Sequence, residues 1–171
     1  VGSGSSCRSF FYPWAIWEKD RVFAKSYAKY DKLDHVLLVV SRSQKHISSS
    51  KAHSLVQTSG NFKLRMNNVK KRFMKLNEAL EEDNWKEIFN LVWDEFIEVH
   101  KLFHTSKPSF SYCDKNVMKI LERLHSWWDW HEDGPLVTMD AGPNIHLLFR
   151  QDQRAIKKRI IDNFKDIEII S

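Results

Sequence analysis

Two apolar stripes set end to end constrain this 171-residue chain more than any other feature. Phe62, Met66, Val69, Phe73, Leu76 and Leu80 recur every three or four residues, the spacing of one face of an α-helix. Asp83 and Asn84 then offer a turn and a helix N-cap. Trp85, Ile88, Phe89, Val92, Phe96, Val99 and Phe103 form the second stripe. So short a break predicts two long antiparallel helices.

The flanking segments read as a mixture of helices and strands. Residues 1–8 (VGSGSSCR) predict a loop running into a helix that continues through Phe10, Phe11, Trp14 and Trp17, with Pro13 in its first turns or kinking it. Residues 21–32 are basic and weakly patterned, which suits a connection. HVLLVV at 35–40 is a short β-branched apolar run, the mark of a buried strand, and the serine-rich stretch 41–50 suits a loop. Asp114 is placed to cap a third helix through Val117, Ile120, Leu121, Leu124 and Trp127. Residues 136–140 and 145–150 predict strands joined by a tight Ala-Gly-Pro-Asn loop. Residues 152–164 predict an amphipathic helix and 167–170 a terminal strand. This order implies an α+β fold with helices packed on a small antiparallel sheet.

Composition excludes several classes. Hydrophobic residues at 42% and charged residues at 29% do not suit a disordered tail or a collagen-like repeat. No apolar run approaches the ~20 residues of a membrane span. Cys7 and Cys113 are too few for a disulfide scaffold or a structural zinc site. Glycine is scarce, and Gly2, Gly4 and Gly142 fall in two short loops, where the backbone freedom is concentrated.

The first loop, Gly2-Ser3-Gly4-Ser5-Ser6-Cys7-Arg8-Ser9, can cradle an anion. Its serines and free N–H groups at a helix start would face the anion, and Arg8 would add a bidentate contact. The same string also reads as a flexible tail. The second, Thr138-Met139-Asp140-Ala141-Gly142-Pro143-Asn144, ends a strand on an aspartate before a rigid loop. Asp140 there could serve as a base, a metal ligand or a cap of the turn.

Taken together, GSGSxCRS and the later TMDAGPN resemble the mevalonate diphosphate decarboxylase family of the GHMP kinase superfamily. Between them, Lys45 and Ser48-Ser49-Ser50 follow the strand HVLLVV as a serine-rich loop does in that family. Thr58-Ser59 and Arg65 fall at its TS…R positions, His100 near its FHA segment, and Pro108-Ser109-Phe110-Ser111-Tyr112 resembles its PPIxY. The resemblance covers the whole chain, aligned to the C-terminal half of a family member. Residues 95–100 (EFIEVH) depart from the family's Asp-Ser-Asn-like string, and Ser48-Ser49 is the eukaryote-like form of the serine loop.

The resemblance implies a GHMP-type C-terminal domain with a ferredoxin-like sheet over residues 34–171. Residues 1–33 would be a helical remnant of the N-terminal kinase-like domain. It implies ATP- and Mg²⁺-dependent phosphorylation of the tertiary hydroxyl of mevalonate 5-diphosphate, followed by loss of phosphate and CO2. Asp140 would face the hydroxyl, and Arg8 would hold the carboxylate or a phosphate oxygen. Ser3, Ser5 and Ser48 would hold the diphosphate and the transferred phosphoryl group, Ser3 and Ser5 thereby also touching the nucleotide. The family's ATP phosphate loop and active-site lysine lie upstream, so this stretch is expected to be inactive alone and to need the N-terminal portion as partner. A cytoplasmic location follows from the resemblance, and a homodimer is compatible with it.

Other features read as structural. His100 and His104 stand at i, i+4 without an HExxH pattern or a third metal ligand, and no resident metal is expected. Trp127, Trp128, Trp130 and His131 suit core or interface packing. Lys70-Lys71-Arg72 and Lys157-Lys158-Arg159 suit solvated helix faces, and Cys7 suits packing. Two other functions remain as alternatives: a related mevalonate-phosphate kinase or decarboxylase, and a basic aromatic-rich binding module, for which the pI of about 9.2 and seven tryptophans speak. The second leaves both loops unexplained, and neither nucleic acid nor membrane is expected as a partner.

Overall fold

The computed structural model describes residues 10–18, 21–43 and 46–171. The chain divides into two compact units, Val1–Leu33 and Asp34–Ser171.

In the first unit, strands β1 (Trp14–Glu18) and β2 (Arg21–Lys25) pair antiparallel, with Trp14 opposite Lys25 and Ile16 opposite Phe23. A 3-10 turn over Ala28–Tyr30 follows. Trp14 Nε1 donates to the Tyr30 carbonyl at 2.9 Å, and its ring meets Tyr27 edge-on. The helix expected through Trp14 and Trp17, and with it the helical remnant, is therefore corrected to a hairpin. The competing period of two wins: Ile16 is buried between more exposed neighbours, aromatic and β-branched residues favour strands, and Pro13 sits just before β1, where no ladder donor is needed. The connection expected over 21–32 is likewise half strand.

The second unit builds its sheet from β3 (Leu33–Val39), β4 (Leu136–Met139), β5 (Ile145–Arg150) and β6 (Glu168–Ile170), in spatial order β4-β5-β3-β6. Leu136 opposes Leu148 across β4 and β5, and Leu37 opposes Ile170 across β3 and β6. Numbered within the unit, the order is 2-3-1-4, the split βαβ arrangement of ferredoxin-like sheets. Val36, Leu38, Val137, Met139, Ile145, Leu147 and Phe149 are buried. Their alternation along β3 and β5 is that of strands with one face on the core, whereas β4 also buries Leu136.

Among the described residues, five helices accompany the sheet: α1 (Ser49–Leu55), α2 (Phe62–Glu81), α3 (Trp85–Thr105), α4 (Lys115–His131) and α5 (Arg154–Asn163). The α2–α3 hairpin forms at the expected turn. Asp83 takes φ 62°, and the Asn84 side chain caps α3 by accepting the Glu87 N–H at 3.1 Å. Asp114 caps α4 by accepting the Asn116 and Val117 N–H groups at 2.8 and 2.9 Å. The α3 stripe is buried along most of its length, whereas α2 buries only Ala79 and Leu80 and leaves Met66 and Phe73 exposed. On α4 it is Trp128, not Trp127, that enters the core, stacked on Phe89 at 4.1 Å. Among the described residues no helix is long and apolar enough to cross a membrane.

Candidate active site

Asp140 is the first residue after β4, and its side chain is exposed. Two local devices shape the loop that it opens. The Gly142 N–H donates back to the Asp140 carbonyl at 2.9 Å. Asn144 Oδ1 accepts the N–H groups of Val40 and Ser41 at 3.0 and 3.2 Å, which ties the loop to the end of β3. Among the described residues no glycine takes a positive φ. Gly142 therefore does not supply a left-handed backbone to this loop.

Beneath this loop lies an apolar cluster of Ala52, Val56, Leu102 and Phe103. Ala141, Ile47 and Tyr112 pack against it from three different segments. Tyr112 links two of them, because its hydroxyl donates to the Ile47 carbonyl at 2.7 Å. Burial and the negative charge of Asp140 both push the Tyr112 phenol above its usual range. Ser48, next along the chain from Ile47, caps α1: its Oγ accepts the Lys51 N–H at 3.3 Å. The hydroxyl proton is left to donate elsewhere. The serine-rich loop expected over 41–50 thus already turns into helix at Ser49.

His100 lies against the same loop from α3 and is 5% exposed. Nε2 is 3.2 Å from the Asp140 carbonyl oxygen, and Nδ1 is 3.2 Å from Cys113 Sγ. Burial holds the imidazole below its usual 6.5, against the opposing effect of the Asp140 carbonyl. His104, one turn on, is exposed. Among the described residues no three histidine, cysteine, aspartate or glutamate side chains gather as a metal cage.

The remaining motif residues have structural partners. Thr58 Oγ1 accepts the Lys107 N–H at 2.7 Å, and the Ser59 and Thr105 hydroxyls are 2.7 Å apart. Arg65 pairs with Glu95 and Glu98, which also pair with Arg72. The departure from the family pattern at residues 95–100 therefore supplies the acidic half of an α2–α3 ion-pair network. Arg72, which the sequence placed on a solvated face, is drawn into that network.

The structure packs Ala141 and Ile47, the chain neighbours of Asp140 and Ser48, on one apolar cluster. Ser3, Ser5 and Arg8, together with Cys7 and Lys45, lie outside the described residues. Sequence reasoning missed the role of Cys113. Thirteen positions separate it from His100, and no periodic pattern relates a residue before one helix to the interior of another.

Comparison with known proteins gives a consistent result. Residues 35–168 match the model of the mevalonate 5-diphosphate decarboxylase C-terminal domain. The diphosphomevalonate decarboxylase of Debaryomyces hansenii is 26% identical over 90% of this chain and 43% of its own length. A crystal structure of a mevalonate diphosphate decarboxylase from Legionella pneumophila is 39% identical, with a TM-score of 0.93 over 98% of this chain and 54% of that one. A mevalonate diphosphate decarboxylase from Enterococcus faecalis, described by its mevalonate diphosphate mediated ATP binding mechanism, is 19% identical. It shares the fold, with a TM-score of 0.78 over 98% of this chain and 53% of that one. The chain thus spans about half the length of the relatives it matches.

Proposed function

Because this chain belongs to the mevalonate 5-diphosphate decarboxylase family, through that family's C-terminal domain, we propose that it is the C-terminal part of a cytoplasmic enzyme that converts mevalonate 5-diphosphate to isopentenyl diphosphate using ATP. Residues 34–171 are the family's C-terminal domain, and residues 1–33 complete the N-terminal kinase-like domain. The partner this reading requires is the N-terminal portion, with its nucleotide phosphate loop and lysine. The described chain alone is inactive.

A tertiary hydroxyl is a poor leaving group, so it is first converted to a phosphate ester. The Asp140 carboxylate accepts or orients the hydroxyl proton as the oxygen attacks the γ-phosphorus of ATP and ADP departs. The new phosphate then leaves with its bonding electrons. The bond to the carboxylate breaks, and its electron pair forms the alkene while CO2 is released. Arg8 holds the carboxylate or a phosphate oxygen through charge-assisted hydrogen bonds. Ser48 donates its hydroxyl proton to the diphosphate, with Ser3 and Ser5 holding diphosphate and phosphoryl oxygens. Magnesium, when bound, neutralises phosphate charge.

The observation that carries this reading is that Ala141 of the Asp140 loop and Ile47 ahead of α1 pack on one apolar cluster, beside Tyr112, whose hydroxyl donates to Ile47. Product analysis of the complete protein tests it. Isopentenyl diphosphate formed only with ATP supports the reading. A stable 3-phosphate product, or turnover without ATP, replaces it with the related kinase or decarboxylase.

A further inference from the structure

The reaction proposed above makes no use of His100 or Cys113, yet His100 reaches the backbone of Asp140 and Cys113 reaches His100. His100 is enclosed by Phe96, Phe103 and Tyr112, with ring centroids at 6.3, 5.1 and 6.3 Å. Both of its ring nitrogens have partners at 3.2 Å, the Asp140 carbonyl on one side and Cys113 Sγ on the other. A carbonyl oxygen only accepts, so Nε2 carries the hydrogen. The neutral ring then has its lone pair at Nδ1, and the Cys113 S–H donates to it. Burial pushes the Cys113 thiol up to about 11, so that proton is present at neutral pH. The titratable groups facing His100 are His104 on its own helix, Asp140 after β4, and Tyr112 and Cys113 ahead of α4.

The Asp140 carbonyl receives two hydrogen bonds, from His100 Nε2 and from the Gly142 N–H. Two donors on one carbonyl fix the peptide plane after Asp140, and with it the direction in which the side chain leaves β4. The second donor comes from the loop itself and moves with it. His100, in contrast, ties that plane to α3. The geometry points to His100 as the positioning residue that aims the Asp140 carboxylate, with Cys113 selecting the ring tautomer that lets it do so. The inference rests on the assignment of Asp140 to the 3-hydroxyl.

The test uses the complete protein. The ¹⁵N shifts of His100 should show the neutral tautomer with hydrogen on Nε2, and Cys113→Ala should shift Nδ1. Hydrogen on Nδ1 in the unaltered protein overturns the inference, whatever the activity. In steady-state assays, His100→Leu should lower kcat by about 10- to 100-fold through misplacement of the reacting group. KM for mevalonate 5-diphosphate should stay within about threefold. His100→Gln, which keeps a donor, should recover much of the loss. Wild-type kcat in His100→Leu, or equal loss in the Leu and Gln variants, overturns it. If His100→Leu does not fold, Cys113→Ala decides: a lowered kcat at unchanged KM supports the relay, and an unchanged kcat with unchanged ¹⁵N shifts sinks it. Asp140→Asn separates the two claims. Full activity in that variant ends both, whereas its inactivity beside a fully active His100→Leu ends the positioning role alone.

Discussion

One side-chain atom, Asn144 Oδ1, holds the β4–β5 loop to the end of β3. It accepts the Val40 N–H at 3.0 Å and the Ser41 N–H at 3.2 Å, both in part-buried surroundings. Asn144→Ala deprives both donors of their acceptor at once. A buried donor left unsatisfied costs about 1–3 kcal/mol, and water reaching a part-buried pair recovers some of that. The expected loss is therefore about 2 kcal/mol for the pair, or about 4–8 °C in Tm for a domain of this size. Asn144→Asp keeps the acceptor and makes both hydrogen bonds charge-assisted, so it should lie within about 0.5 kcal/mol of the unaltered protein. Urea unfolding with a shared m-value measures the difference. An alanine variant as stable as the parent, or an aspartate variant no better than alanine, would refute the argument that this oxygen fastens the loop.

Two further predictions concern the frame around the site. A Cβ at Gly134 would meet Trp128 Nε1 at 2.9 Å and Trp127 Cδ1 at 3.1 Å, so Gly134→Ala should lower stability by about 1–3 kcal/mol through overpacking, measurable by calorimetry. Burial alone would raise the pKa of Glu98, but hydrogen bonds from Asn68 and Arg72 and the charges of Arg72 and Arg65 outweigh it and hold the pKa below its usual 4.5. A depressed carboxylate stabilises the fold above its unfolded pKa and loses that contribution as pH falls through the folded value. Stability should therefore decline below about pH 4.5, and Glu98→Gln should flatten that decline in urea titrations at stepped pH.

Much of the second unit was legible because its signals are local. The α2–α3 hairpin, the Asn84 and Asp114 caps and strands β3 to β6 each follow from residues within one or two turns of one another. The first unit was misread because Phe11, Trp14 and Trp17 fit a helical period while Trp14 and Ile16 fit a strand period, and five-residue strands give periodicity little to choose with. Helix α1 went unread because SSKAHSL buries only Ala52 and Leu55, too few for a stripe. The α2 stripe overstated burial: Met66 and Phe73 sit at helical spacing yet face outward. At the site, Asp140 and Ser48 were visible as motif residues. What holds them was not, since the contacts of His100 with Asp140 and Cys113, and of Tyr112 with Ile47, are long-range and made between elements whose packing no single segment encodes.

In the proposed reaction Asp140 acts at the hydroxyl of a substrate that is phosphorylated and then decarboxylated. The most direct measurement is the stoichiometry of ADP and CO2 released by the complete protein with mevalonate 5-diphosphate, ATP and Mg²⁺, beside Asp140→Asn. Equal release of both, abolished together in the folded variant, is the expected outcome. Release of ADP without CO2, or an Asp140→Asn variant that turns over at the parent rate, would contradict it.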